Sequence, residues 1–259
     1  MKVKYYIINL RRSVQRRDYV VNEMQKNGIS DYMFIEGLDA LNYDMKSLHR
    51  FVDKANQRRD LPKGMIGCSI SHIKALRTFI NDKDVDIGVI LEDDFEIVKN
   101  LRESVKAIPC DILDQGPALL YAFVKAEMIL KKQNDLPGNH GLFAMEKPMD
   151  CISTVGYCVN KTSAKNLINA MFPLKDYPDA WESHFNFGAF HRLFIVYPFL
   201  LRHEVFESDR IENLNFLGRF KKITSDLIIN RRLPILYNMI LKYRRRWRDP
   251  ELDRIRFIS

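Results

Sequence analysis

Short apolar runs separated by amphipathic stretches dominate the first half of the chain. "VKYYIINL" (residues 3–10) is a β-branched and aromatic run that predicts a strand, and Val20, Val21 and Met24 behind it fit one side of a helix. "YMFIEGLDA" (32–40) predicts a second short strand ending near Gly37 and Asp39, and the polar residues 40–63 read as helix and loop. From Gly67, "GCSISHIKALRTFINDK" sets Ile70, Ile73, Leu76 or Arg77, and Ile80 at helical spacing behind serines suited to capping. "DIGVILEDD" (86–94) is a continuous apolar run, the pattern of a strand covered on both faces in a parallel sheet. This alternation implies an α/β layered fold.

The second half continues the pattern with longer interruptions. "ALLYAFV" (118–124), "STVGYCV" (153–159) and "LFIVYPFLL" (193–201) predict strands, with a Gly/Pro/Asn-rich loop around "DLPGNHG" (135–141). "SAKNLINAM" (163–171) predicts a helix with Leu167, Ile168 and Met171 along one side, and "PDAWESHFNFGAF" a loop entering a helix. In "RRLPILYNMILKYRRRW", Pro234 suits a first helical position, and Leu236, Ile240, Tyr243 and Trp247 fall on one stripe. The predicted division is one α/β domain over 1–212 and a basic amphipathic helical segment over 213–259.

Charge sharpens that division. Residues 219–248 hold ten Lys/Arg against one acid, Asp226, so the net +8 of the chain resides there and the rest is close to neutral. A basic amphipathic stripe with Tyr243 and Trp247 suits docking on an anionic membrane surface; binding of an acidic acceptor and packing as a structural or dimer helix are the alternatives. A nucleic-acid site would spread positive charge over the folded body, so no nucleic-acid partner is expected. No uncharged apolar run approaches the ~20 residues a membrane helix needs, and the first residues are too short in apolar run for a secretory signal. A cytoplasmic protein, peripheral on the inner face of the membrane, is therefore expected. Cys68, Cys110, Cys151 and Cys158 form no C-x-x-C pair, which points to buried thiols in a reducing compartment rather than to a zinc site or disulfide framework.

The candidate chemistry lies in "VILEDD". Ligands of open parallel sheets bind beyond the carboxyl ends of the strands, where Glu92, Asp93 and Asp94 fall. In an extended chain Glu92 and Asp94 share one face and Asp93 the other, so two converging carboxylates would hold Mg²⁺ or Mn²⁺. A solvated acidic turn is the bland alternative. The chain lacks the G-x-G-x-x-G, P-loop and H-E-x-x-H patterns, so dinucleotide redox chemistry and P-loop hydrolysis have no support.

In order, "INLRRSVQRR", "GLDA", "GMIGCSISH", "VILEDD", "TVGYCVNKTSA", "YPDAW" and "ESDRI" resemble glycosyltransferase family 25, which contains bacterial lipooligosaccharide galactosyltransferases and collagen-modifying transferase domains. The resemblance implies a GT-A type nucleotide-sugar-binding fold with a mostly parallel central sheet, a UDP-sugar donor, a divalent cation and inversion at the anomeric carbon. It implies Asp94 as the main metal ligand, Glu92 as a second metal or ribose contact, and Asp93 in the same donor site. Asn9, Leu10 and Arg16 match the first-strand signature near the nucleotide; Gly67, Ser71 and His72 match the G-C-x-x-S-H segment; Gly156 and Tyr157 match the G-Y strand. The chain departs from the family at Met65, where an acid is usual, at Val14, where proline is usual, and at His203, where glutamine is common. His203 is a candidate third metal ligand or an ordinary core or surface histidine.

An inverting displacement needs a base across the sugar from the metal-held diphosphate, so the base is a separate acid. Asp179 is the candidate and Glu182 the reserve; the alternative for Asp179 is a helix N-cap. Trp181 is read either as a sugar-stacking ring or as core. The expected activity is transfer of a hexose, with galactose favoured, from a UDP-sugar to a lipooligosaccharide or similar glycan. The rivals are a metal-dependent phosphoester or nucleotide-sugar hydrolase and a non-catalytic, membrane-associated carbohydrate-binding module.

Overall fold

The computed structural model describes residues 1–55, 61–124, 127–146, 151–203 and 255–258. The first βαβ unit runs β1 (Val3–Asn9), α1 (Val14–Lys26), β2 (Tyr32–Glu36), then through α2 (Met45–Leu48) and α3 (Lys63–Asn81) to β3 (Ile87–Leu91). β4 (Phe95–Ile97) and α4 (Leu101–Lys106) lead to β5 (Ala118–Leu119), β6 (Phe123–Val124), β7 (Met128–Leu136) and β8 (His140–Met145). β9 (Cys151–Ile152), β10 (Gly156–Val159), α5 (Lys161–Met171), α6 (Trp181–Asn186), β11 (Phe194–Tyr197) and β12 (Leu201–His203) follow, with β13 (Ile255–Ile258) last.

Nine strands form one mixed sheet in the order β13-β7-β8-β11-β5-β10-β3-β1-β2. β1 pairs parallel with β2 and β3, and β5 with β11; β10 and β8 run against their neighbours. Alternation along each strand divides the core between two faces. Tyr6, Ile90, Tyr157 and Ile195 point to the side covered by α3 and α5, whereas Tyr5, Ile7, Val89, Cys158 and Val196 point to the side covered by α1 and α4. All five residues of β3 are buried, as the unbroken apolar run of a doubly covered strand requires.

Several elements differ from the sequence pattern. α3 starts at Lys63, not Gly67, so Ser69 and Ser71 lie inside it and are buried rather than capping it. The loop around "DLPGNHG" shrinks to a tight turn, with Gly138 at φ +75° and Asn139 at φ +64°, between β7 and β8. An irregularity between Lys132 and Asn134 breaks the period-2 alternation that would have marked β7 as a strand. "ALLYAFV" splits into β5 and β6, which pairs with β9 instead of the main sheet, and "LFIVYPFLL" breaks around Pro198, a residue that cannot donate to a ladder.

The predicted C-terminal helix lies outside the described residues. The end of segment 213–259 is not helical: β13 pairs parallel with β7 and extends the main sheet. Among the described residues no helix is long and apolar enough to cross a membrane.

At Gly88 the Phe79 ring of α3 lies directly against the β3 backbone. A Cβ there would meet the Phe79 ring at 2.6 Å. Phe79 is fully buried, with the Tyr6 ring edge-on at 5.7 Å and the Lys161 ammonium 3.9 Å from its centroid. Gly88→Ala should lower unfolding free energy by about 1–3 kcal/mol through overpacking. Urea denaturation checks this; an unchanged midpoint would show that the helix can yield.

Candidate active site

A cavity of about 400 Å³ opens beyond the carboxyl ends of β1, β2 and β3. Leu10 and Arg16 from the β1–α1 unit, Asp39 after β2, Gly67, Ser71 and His72 of α3, Glu92, Asp93 and Asp94 after β3, Thr154, Asp179 and His203 all line it. Asn9, Gly156, Tyr157 and Glu182 do not.

The three acids part company. The chain leaves β3 at Leu91 and bends, so strict alternation ends there. Asp93 is buried and accepts hydrogen bonds from Asn9 Nδ2 at 2.7 Å and Arg16 Nη1 at 2.8 Å. Burial raises its pKa and the Arg16 charge opposes the rise. Asp94 turns toward His203, with Oδ2 3.3 Å from Nε2, and lies 3.9 Å from Arg16. Burial first, then the nearby Glu92 and Asp93 charges, lift the Asp94 carboxyl to about 6 against the opposing pull of His203 and Arg16.

Glu92 turns the other way. Its Oε1 accepts from Thr154 Oγ1 at 2.5 Å and lies 3.5 Å from His72 Nε2. The expected convergence of Glu92 with Asp94 on one face is therefore replaced by two neighbouring groups, Asp94 with His203 and Glu92 with His72. The cause is the bend after Leu91, which presents Asp93 and Asp94 to the same guanidinium.

The motif residues outside the cavity shape it. Asn9 holds Asp93 and also donates to the Ser13 carbonyl at 3.2 Å. Gly156 lies on β10 opposite Leu91, where a Cβ would meet Leu201 at 2.2 Å and Leu91 at 2.9 Å. The Tyr157 hydroxyl shares a hydrogen bond of 3.1 Å with His72 Nδ1, and the two rings stack. Gly67 brings α3 against the "GLDA" loop, since a Cβ there would meet the Leu38 carbonyl at 2.7 Å. Ser71 locks that approach by donating to the Gly67 carbonyl and accepting from the Leu38 amide at 2.8 Å.

Asp179 stands half-buried ahead of α6, whose N-cap position is Ala180 with no side-chain cap bond. Glu182 is exposed and faces an adjoining depression that Asp179 also borders. Trp181 is 1% exposed, donates Nε1–H to the Ser153 carbonyl at 3.0 Å and meets the Tyr157 ring edge-on, so it is core rather than a stacking platform.

Two residues, Thr154 and Asp39, were not singled out from the sequence as site residues. Thr154 orients Glu92, and Asp39 pairs with Arg12, one of the arginines after β1, at 2.5 Å on the cavity rim. Asp39 follows β2 as the acids follow β3, so the same strand-end rule would have found it. Thr154 opens the "TVGYCVNKTSA" segment but has no acid or strand-end position to mark it, and it reaches the cavity from the link just ahead of the antiparallel β10.

A curated protein of Acanthamoeba polyphaga mimivirus, "Putative glycosyltransferase R655", is 26% identical over 106 residues, 41% of this chain and 33% of its own length. The matched segment thus spans about a third of that relative. The crystal structure of A197 from STIV aligns over 83% of this chain and all of its own at 11% identity, with a TM-score of 0.36, which is too low to assign a fold. The profile of Glycosyltransferase family 25 (LPS biosynthesis protein) covers residues 2–180, both the acids after β3 and Asp179 included, and the chain belongs to that family.

Proposed function

We propose that the protein is an inverting, metal-assisted glycosyltransferase of GT-A type that moves a hexose, galactose by preference, from a UDP-sugar to a lipooligosaccharide or similar glycan. The observation that carries this reading is Asp94. Its Oδ1 is buried with no hydrogen-bond partner among the described residues, its Oδ2 faces His203 Nε2, and Asp94 and His203 line the cavity that Asp179 shares. A buried, unsatisfied carboxylate oxygen is costly unless something positive meets it. An O/N donor pair of this kind fits Mn²⁺ or Mg²⁺.

Asp94 and His203 would hold such a cation, which would supply Lewis-acid stabilisation of the diphosphate leaving group. Arg16, already fixed against Asp93 and Asp94, adds a second positive group beside the diphosphate. Asp179 accepts the proton of the acceptor hydroxyl. The hydroxyl oxygen then attacks the anomeric carbon as the bond to the diphosphate oxygen breaks, which inverts that centre. Asn9 and Ser71 hold the walls in place, and Glu182, outside the main cavity, is the less suited base.

The charge of residues 219–248 supports peripheral docking on the inner face of the cytoplasmic membrane, where a glycolipid acceptor is presented. Replacing Arg244, Arg245 and Arg246 with serine should weaken co-sedimentation with anionic liposomes severalfold while sparing neutral ones. Equal binding by both proteins would remove the membrane reading.

Two substitutions test the chemistry in a panel of UDP-sugars with Mn²⁺ and glycan acceptors. Asp94→Asn should cut metal-stimulated turnover at least ~100-fold, the scale of one group stabilising transition-state charge. Its melting temperature should hold, because an amide relieves the crowding of three carboxylates. Asp179→Asn should lower kcat by about 10²–10⁴-fold with UDP affinity intact. Normal rates in either variant would reject its role, and donor hydrolysis that ignores the acceptor would favour the hydrolase reading.

A further inference from the structure

The donor cavity holds a second group of ligating atoms whose chemistry differs from that of Asp94 and His203. Cys68 and His72 are four residues apart on α3 and so present to one helix face. Glu92 reaches the same point from the end of β3, and ligand atoms of all three residues lie within 4.8 Å of one another. His72 is 1% exposed, and its Nε2 is buried without a hydrogen-bond partner among the described residues.

The neighbours of that nitrogen make the arrangement specific. Nδ1 is engaged by the Tyr157 hydroxyl, while Nε2 faces Glu92 Oε1 at 3.5 Å without bonding to it. Two ligands at about 2.0–2.1 Å on a tetrahedral ion sit about 3.3 Å apart, close to that separation. Tyr157 and Thr154 supply the supporting hydrogen bonds that ligating histidines and carboxylates need.

We propose that Cys68, His72 and Glu92 bind a zinc-type divalent cation at a position separate from Asp94 and His203. Binding expels the thiol proton to solvent, so thiolate and carboxylate balance the 2+ charge while imidazole stays neutral with Nδ1–H donating to the Tyr157 oxygen. Sulfur, nitrogen and oxygen donors select zinc-like ions over the harder cation suited to Asp94. Cys68, Glu92 and Thr154 line the cavity, so a fourth coordination position faces it and is open to water or a ligand oxygen. The proposal does not rest on sugar transfer.

Cobalt(II) reports the site without donor or acceptor. The full-length protein should bind Co²⁺ with tetrahedral visible bands and a sulfur-to-cobalt charge-transfer band that saturates at one cobalt per Cys68 site. Cys68→Ser should abolish the charge-transfer band, and Asp94→Asn should retain it. Absence of the band in the unmodified protein, its survival in Cys68→Ser, or its loss in Asp94→Asn would each overturn the proposal. No substitution is needed for a second measurement: Zn²⁺ should slow iodoacetamide labelling of Cys68 at least tenfold, read by peptide mass spectrometry and reversed by a chelator. Unprotected labelling would equally overturn it.

Discussion

A buried carboxylate, Asp93, ties the first βα unit to the end of the third strand. It is 7% exposed and sits between Asn9 of β1 and Arg16 of α1, so its charge is matched by one guanidinium and one amide. Removing either partner would leave a charged or polar group desolvated, which is far more costly than the pair is stabilising. That constraint fixes the direction in which the chain leaves β3. With Asp93 turned toward α1, Glu92 is left facing α3 and Asp94 facing β12.

The architecture around this clamp is built from close approaches. Gly67 lets the loop after β2 touch α3, Gly88 lets α3 lie on β3, and Gly156 lets β10 pass Leu91 and Leu201. Around Gly67 and Gly156, motif side chains then find their partners: Ser71 the Leu38 backbone amide, and Tyr157 the His72 ring. The "G-C-x-x-S-H" and "G-Y" motifs thus act largely through packing. Only some of their residues face the cavity, and the rest set where those residues point.

The cavity divides its polar groups by chemistry. On one side, Asp94, His203 and Arg16 form an oxygen- and nitrogen-rich cluster with a positive edge. On the other, Cys68, His72 and Glu92 bring sulfur into reach. Asp179 comes from the segment before α6, apart from both clusters in sequence and placed on the same cavity by the fold. The displacement proposed above would need separate acids for cation binding and proton removal.

Periodicity and composition alone determined the alternation of strand and helix up to β3, the burial of β3 on both faces and the placement of an acid cluster at its carboxyl end. These are local properties: a continuous apolar run cannot be satisfied on one face, and strand ends are where an α/β layer opens. The β7–β8 hairpin escaped because Lys132, Gln133 and Asn134 have low strand preference and an irregularity hides the alternation. The division of the three acids was likewise invisible, because alternation describes an extended chain and the bend after Leu91 is set by Asn9 and Arg16, some 80 positions away. Tertiary structure alone decided that Cys68, without a partner cysteine nearby in sequence, stands beside His72 and Glu92. Spacing sees ligands on one element, whereas a site assembled from a helix face and a strand end exists only once the two are packed together.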